Sequence, residues 1–169
     1  MKATKKSFSA ALIGALLASP SATAIEINKP QVQRTTPYPG IKLTRTLTYR
    51  TYLVSARTFD DWKIRLGNSP IHGAEDAVGL TENSVAYDGQ LYADNGLCHP
   101  GDLEFTHHIE VTLPDVRIGD LTSQERSVVV MVSNFIADHE QLHVADFIAS
   151  TDRLLQRTRS EERRVGKEC

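Results

Sequence analysis

"LEFTHHIEVTLPDVRIGDLTSQER", Leu103 to Arg126, contains the change of period on which the fold turns. Up to Pro114, Leu103, Phe105, His107, Ile109, Val111 and Leu113 point one way, and Glu104, Thr106, His108, Glu110 and Thr112 the other. That alternation marks a strand with one covered face. Pro114, which has no N–H to give a neighbour, is read as its end. After Gly119 the repeat lengthens to about 3.6 residues. Thr122 with Glu125 three positions on makes a capping box, and no Gly or Pro interrupts Leu121 to Arg159. A helix from Thr122 to Arg157 would be roughly 54 Å long at 1.5 Å per residue. It must therefore protrude, bend or divide to belong to a domain of this size.

Upstream of the quoted stretch the chain reads as strands and turns. "NKPQVQRTTPYPG" (Asn28 to Gly40) lacks periodicity and reads as an extended lead-in. Alternation of β-branched and aromatic residues from Ile41 to Ala56 predicts one or two strands. Thr58 then caps a short helix, "FDDWKIRL", with Asp60 and Asp61 in its first turn, Trp62 and Leu66 on its buried face and Gly67-Asn68 closing it. In "ENSVAYDGQLYA" the Asp88-Gly89 pair reads as a hairpin turn, and "DNG" (Asp94 to Gly96) as a second turn.

The long helix carries "DHEQLHVADF", Asp138 to Phe147. His139 and His143 stand four apart, so on a helix both imidazoles leave the same face and can bind one ion without any backbone rearrangement. Zinc accepts nitrogen donors in tetrahedral geometry and is the metal this pair implies. Glu140 is rotated about 100° from His139 and does not compete as a ligand. It can take a proton from a water that the metal acidifies, the logic of H-E-x-x-H hydrolysis. Val132, Phe135, Ile136 and Phe147 give the helix an apolar side, so part of the motif meets the interior.

The third ligand is not identifiable from the residues. Asp146 shares the face of the histidines but sits about 10 Å along the axis from His139. It is either a hydrogen-bond partner of an imidazole or a solvated charge. Asp152 is a weaker candidate. His107, on the apolar side of its strand, reads as a satisfied core residue rather than a ligand; His72, His99 and His108 carry no signal. Cys98 lies in a turn-rich stretch with no nucleophile pattern around it.

The two ends of the chain stand apart from this body. Lys2, Lys5 and Lys6, the apolar "AALIGALLA" (Ala10 to Ala18) and Ala22-Thr23-Ala24 make the three-part pattern of a signal peptide over residues 1–24, removed on export. The apolar run is too short to span a bilayer, and the mature chain carries no transmembrane segment. "RSEERRVGKEC", residues 159–169, has no apolar period and matches the in-frame translation of a sequencing adapter, so it is read as a non-native tail on a chain truncated near Thr158. The 134 residues between the ends suit one domain. They hold 12 basic and 18 acidic side chains, a net charge of −6, which repels nucleic-acid phosphates and excludes that class of partner. Cys98 is the lone cysteine of this body. In an oxidising compartment it is either half of a disulfide whose partner is unknown or a buried free thiol.

"TYLVSARTFDDW" leading into a short helix, then Thr81, Val85 and Tyr87, then Cys98, a strand ending in "VTLP" and a helix bearing "HEQLH" resemble, in this order, a bacterial family of unknown function described as secreted zinc-dependent proteases. The likeness covers most of residues 50–158. It implies a zincin-like hydrolase of the cell envelope with His139 and His143 as ligands and Glu140 as base. Family members often carry Gly where this chain has Leu142, and continue past the helix with another cysteine and a further histidine; the missing region could supply a ligand and the partner of Cys98.

Residues 41–158 are thus expected to form an α+β, zincin-like domain, an antiparallel sheet packed on a long C-terminal helix that bears the active site. The Leu103–Leu113 strand would receive an extended peptide. The expected activity is zinc-dependent hydrolysis of peptide or protein substrates in the periplasm or outside the cell. The alternatives are a non-catalytic metal-binding envelope protein, or a metal-dependent hydrolase of another amide or ester.

Overall fold

The alternating stretch after Leu103 and the strand that starts at Ile41 lie side by side at the centre of the molecule. The computed structural model describes residues 27–68, 71, 77–94 and 97–161. The signal segment, His72 and residues 162–169 of the tail lie outside them. Four strands and two helices follow one another: β1 (Gln31–Tyr38), β2 (Ile41–Ala56), α1 (Phe59–Gly67), β3 (Leu80–Asp94), β4 (Leu97–Ile118) and α2 (Ser123–Glu161).

The strands form one sheet in the order β1-β2-β4-β3. β1 and β2 are antiparallel, β3 and β4 are antiparallel, and β2 and β4 are parallel over sixteen residue pairs, from Ile41↔Leu103 to Ala56↔Ile118. The expected antiparallel sheet is therefore corrected to a mixed one. Side-chain alternation reads the same whichever way a neighbour runs; direction is set by the connections. Here the chain leaves β2 through α1 and returns one place further out, as β3. The hairpin back from β3 then puts β4 into the gap, running with β2.

This order also corrects the role given to Leu103–Leu113. From Leu103 to Thr112 β4 is paired on both sides and cannot accept another strand there; the outer strands of the sheet are β1 and β3. Nor does Pro114 end β4, which runs on to Ile118. β3 begins its pairing at Leu80↔Thr112, so by Pro114 that side of β4 has no neighbour and no N–H is missed. Asp88-Gly89 is likewise not a turn. β3 passes through it with a register shift between Asp88 and Gln90, and Gly89 sits at φ 133°. A Cβ there would lie 2.8 Å from the Asp102 carbonyl oxygen, so glycine makes a bulge within a long strand. Residues 31–38 of the lead-in are extended, as read, and also pair with β2.

Local signals hold where they depend on neighbours in sequence. The Thr58 hydroxyl accepts from the Asp61 N–H at 3.2 Å and caps α1. The Thr122–Glu125 box closes in both directions, with Thr122 N–H to Glu125 Oε2 at 2.8 Å and Glu125 N–H to Thr122 Oγ1 at 3.2 Å. α2 is a single helix of 39 residues, roughly 58 Å long.

One cluster joins α1 and the N-terminal part of α2 to the sheet through Trp62, Leu66, Tyr49, Ile109, Val111, Val129, Ile136 and Val144. A second, of Ile41, Leu43, Leu103, Phe105 and Leu155, secures the far end of α2. No helix among the described residues is long and apolar enough to cross a membrane.

Candidate metal centre

The face that α2 turns to the sheet is spelled by its buried positions, Val129, Ile136, Glu140, Val144, Thr151 and Leu155. They recur at spacings of four and seven residues, one and two helical turns, as one side of a helix must. All but two are aliphatic, and one of the exceptions is Glu140, only 4% exposed. The part of the motif that meets the interior is thus the glutamate, next to Ile136. Phe135, counted on the apolar side from the sequence, is 71% exposed.

Neighbouring residues on α2 fix which way each flank faces. Gln141 donates to the Tyr49 hydroxyl of β2 at 2.6 Å, and Asp152 accepts from Arg45 of β2 at 2.8 Å. One flank of the helix therefore looks towards β2. Glu140 reaches β3, where the Thr81 hydroxyl donates to its Oε2 at 2.6 Å. His139, about 100° from Glu140 in the sense opposite to Gln141, and His143 leave from the other flank. They stand over the side of the sheet where β3 is the last strand.

Both imidazoles are exposed and they converge. His139 Nε2 and His143 Nε2 are 3.1 Å apart, with the rings edge to face and their centroids 4.7 Å apart. At this distance one ring can donate an N–H to the other, and two nitrogens sharing a tetrahedral zinc at ~2.0–2.1 Å would stand about 3.3 Å apart, so the spacing is compatible with either. Phe147 stacks beside His143, 6.4 Å between centroids, and limits its ring to this side. Glu140 makes no ion pair among the described residues, leaving a buried carboxylate without a compensating cation next to two convergent nitrogen donors. The donor set fits a divalent cation but does not complete its shell. No group of three or more His, Cys, Asp or Glu side chains gathers among the described residues.

The other candidates fall away from this point. Asp146 is exposed and makes no hydrogen bond to either imidazole among the described residues. Asp152 is engaged with Arg45. Cys98 lies in β4 opposite Ala93; its side chain and that of His99 are outside the described part. His107 is fully buried. Its Nδ1 accepts from Arg45 Nε at 3.2 Å, and its Nε2 has no partner among the described residues. It is a core histidine, as read, but only half satisfied.

That environment makes His107 sensitive to acid. Burial pushes its pKa below the ordinary 6.5, the Arg45 charge adds to this, and Asp152 opposes it. The folded protein therefore resists a proton that the unfolded chain accepts near pH 6.5. Stability from this group is complete above about pH 6.5 and falls as the pH drops below it, by at most ~1.4 kcal/mol per pH unit. Urea unfolding at pH 7.5 and 5.5 measures the slope. His107→Gln, which keeps an acceptor for Arg45, should flatten it.

Thr81 and Gly79 escape a reading of sequence alone, because 59 residues separate Thr81 from Glu140. Thr81 entered only as part of the resemblance, with no role attached, and the local signal was a glycine at the head of a strand, which marks close approach of another group.

A family model described as "Bacterial protein of unknown function (DUF922)" matches residues 49–169. No curated protein and no solved structure matches the chain.

Proposed function

The chain belongs to DUF922, a bacterial family of unknown function, so its activity has to come from its own residues: we propose that it is an exported zinc-dependent hydrolase that cleaves peptide bonds. The observation that carries this reading is the arrangement at one turn of α2, two imidazole nitrogens 3.1 Å apart with the intervening Glu140 buried beside them. His139 and His143 would hold the ion. When bound, zinc would polarise the scissile carbonyl and lower the pKa of a water towards neutrality. Glu140, through the carboxylate oxygen that Thr81 does not occupy, would accept a proton from the attacking water and pass it to the leaving amine. Burial keeps bulk water from competing for this carboxylate. The flank bearing the histidines faces the side where β3 is the edge, so an extended peptide can add to β3 with its backbone beside the pair.

Export rests on the three-part pattern of residues 1–24. The purified full-length chain should bind one zinc, and His139→Ala or His143→Ala should weaken that binding at least 100-fold. Elemental analysis and calorimetry measure this, alongside cleavage of a mixed peptide library with and without chelator. Zinc bound with no cleavage would instead support a metal-binding envelope protein without catalysis. The observation favouring that second reading is the absence of a third protein donor among the described residues. Cleavage of small esters or amides but no peptides would move the activity to another substrate class.

A further inference from the structure

We propose that the head of β3 is a seat built for Glu140, with Thr81 as a positioning residue for its carboxylate and Gly79 as the gap that admits it. A glutamate in the inward stripe of a helix loses most of its hydration and needs a donor in return. The Thr81 hydroxyl supplies it at 2.6 Å to Oε2. The carbonyl oxygen of Glu140 is 3.4 Å from the same hydroxyl, which has a single hydrogen; the shorter contact takes it. One carboxylate oxygen is thereby fixed, and no other donor among the described residues contacts Oε1.

Gly79 closes the seat from behind. A Cβ added there would lie 2.8 Å from Glu140 Oε1, 2.8 Å from Ile136 Cγ2 and 3.0 Å from Glu140 Cγ. A side chain at this position therefore has to push both the carboxylate and the core residue Ile136. Two tyrosines of β2 hold the seat and its occupant in register. Tyr52 donates to the Val78 carbonyl at 2.8 Å, just before Gly79. Tyr49 accepts from Gln141, just after Glu140. The segment entering β3 and the helix are thus both tied to β2, three residues apart, which sets the height of the carboxylate over the sheet.

The catalytic half of this proposal rests on the hydrolase reading; the geometric half does not. The test uses the full-length chain carrying Thr81→Val, Thr81→Ser or Gly79→Ala, with two readouts. In ¹³C-labelled protein the Glu140 carboxyl resonance should move in Thr81→Val and Gly79→Ala and return to its wild-type position in Thr81→Ser. In peptide hydrolysis, Thr81→Val should lower kcat about tenfold, the loss of one hydrogen bond to a charged group, with KM and zinc affinity unchanged and Thr81→Ser restoring the rate. An unmoved resonance in Thr81→Val overturns the seat. A moved resonance with an unaltered kcat overturns Thr81 as a positioning residue. If the wild-type chain cleaves nothing, the hydrolase reading fails, and the carboxyl resonance alone then decides for or against the seat.

Discussion

Glu140→Gln should abolish detectable peptide hydrolysis, with turnover reduced by about 10²–10⁴-fold, while zinc affinity stays within twofold of wild type. The amide has the size of the carboxylate, and its carbonyl oxygen can still accept from Thr81 Oγ1, which donates to Glu140 at 2.6 Å. Packing against Ile136 and the glycine at position 79 is preserved. What is lost is the ability to take up and return a proton. His139 and His143 are untouched, so metal content by elemental analysis should match the unsubstituted chain. A Glu140→Gln chain that turns over at an unreduced rate would remove the glutamate from the chemistry. One that loses zinc would show that the carboxylate is a ligand rather than a base.

Leu155→Ala should lower unfolding free energy by about 2–5 kcal/mol, a large part of the ~5–15 kcal/mol available to a domain. Leu155 is 1% exposed and, among the described residues, is the only one of α2 buried in the cluster with Ile41, Leu43, Leu103 and Phe105. The same stretch of α2 also carries the buried Thr151 and is tied to β2 by the Arg45–Asp152 pair. The pair is partly open to solvent and adds little by itself. The damage should therefore be local first. Amide exchange in residues 149–158 should quicken more than in residues 136–144, whose contacts belong to the other cluster. Uniform acceleration along α2 would instead mean that the two clusters open as one unit.

What could be read from the sequence was whatever depends on residues a few positions apart. The burial of Leu103 to Leu113 on one side of β4, the Thr58 cap, the Thr122–Glu125 box and the convergence of His139 on His143 are all of this kind. Strand order and direction were not legible, because they depend on how α1 returns the chain and on where β4 finds room. Asp88-Gly89 carried a true signal for positive φ at the glycine, but a bulge and a turn ask for the same residue there. The His107–Arg45–Asp152 chain and the Thr81–Glu140 bond join residues 59 to 107 positions apart. No local pattern encodes such pairs.

The parallel pairing of β2 with β4 has a kinetic consequence. Every one of its sixteen contacts joins residues 62 positions apart, and the connecting segment includes both α1 and β3. The β1–β2 hairpin can form early, but the middle of the sheet cannot exist until the β3–β4 hairpin has been made and docked. High contact order of this sort slows folding, since the entropy of closing a long loop is spent before the pairing returns it. Until that docking, the inner rims of both hairpins are bare backbone, and crowding or a slow chaperone handover at that stage would favour intermolecular pairing over the native insertion.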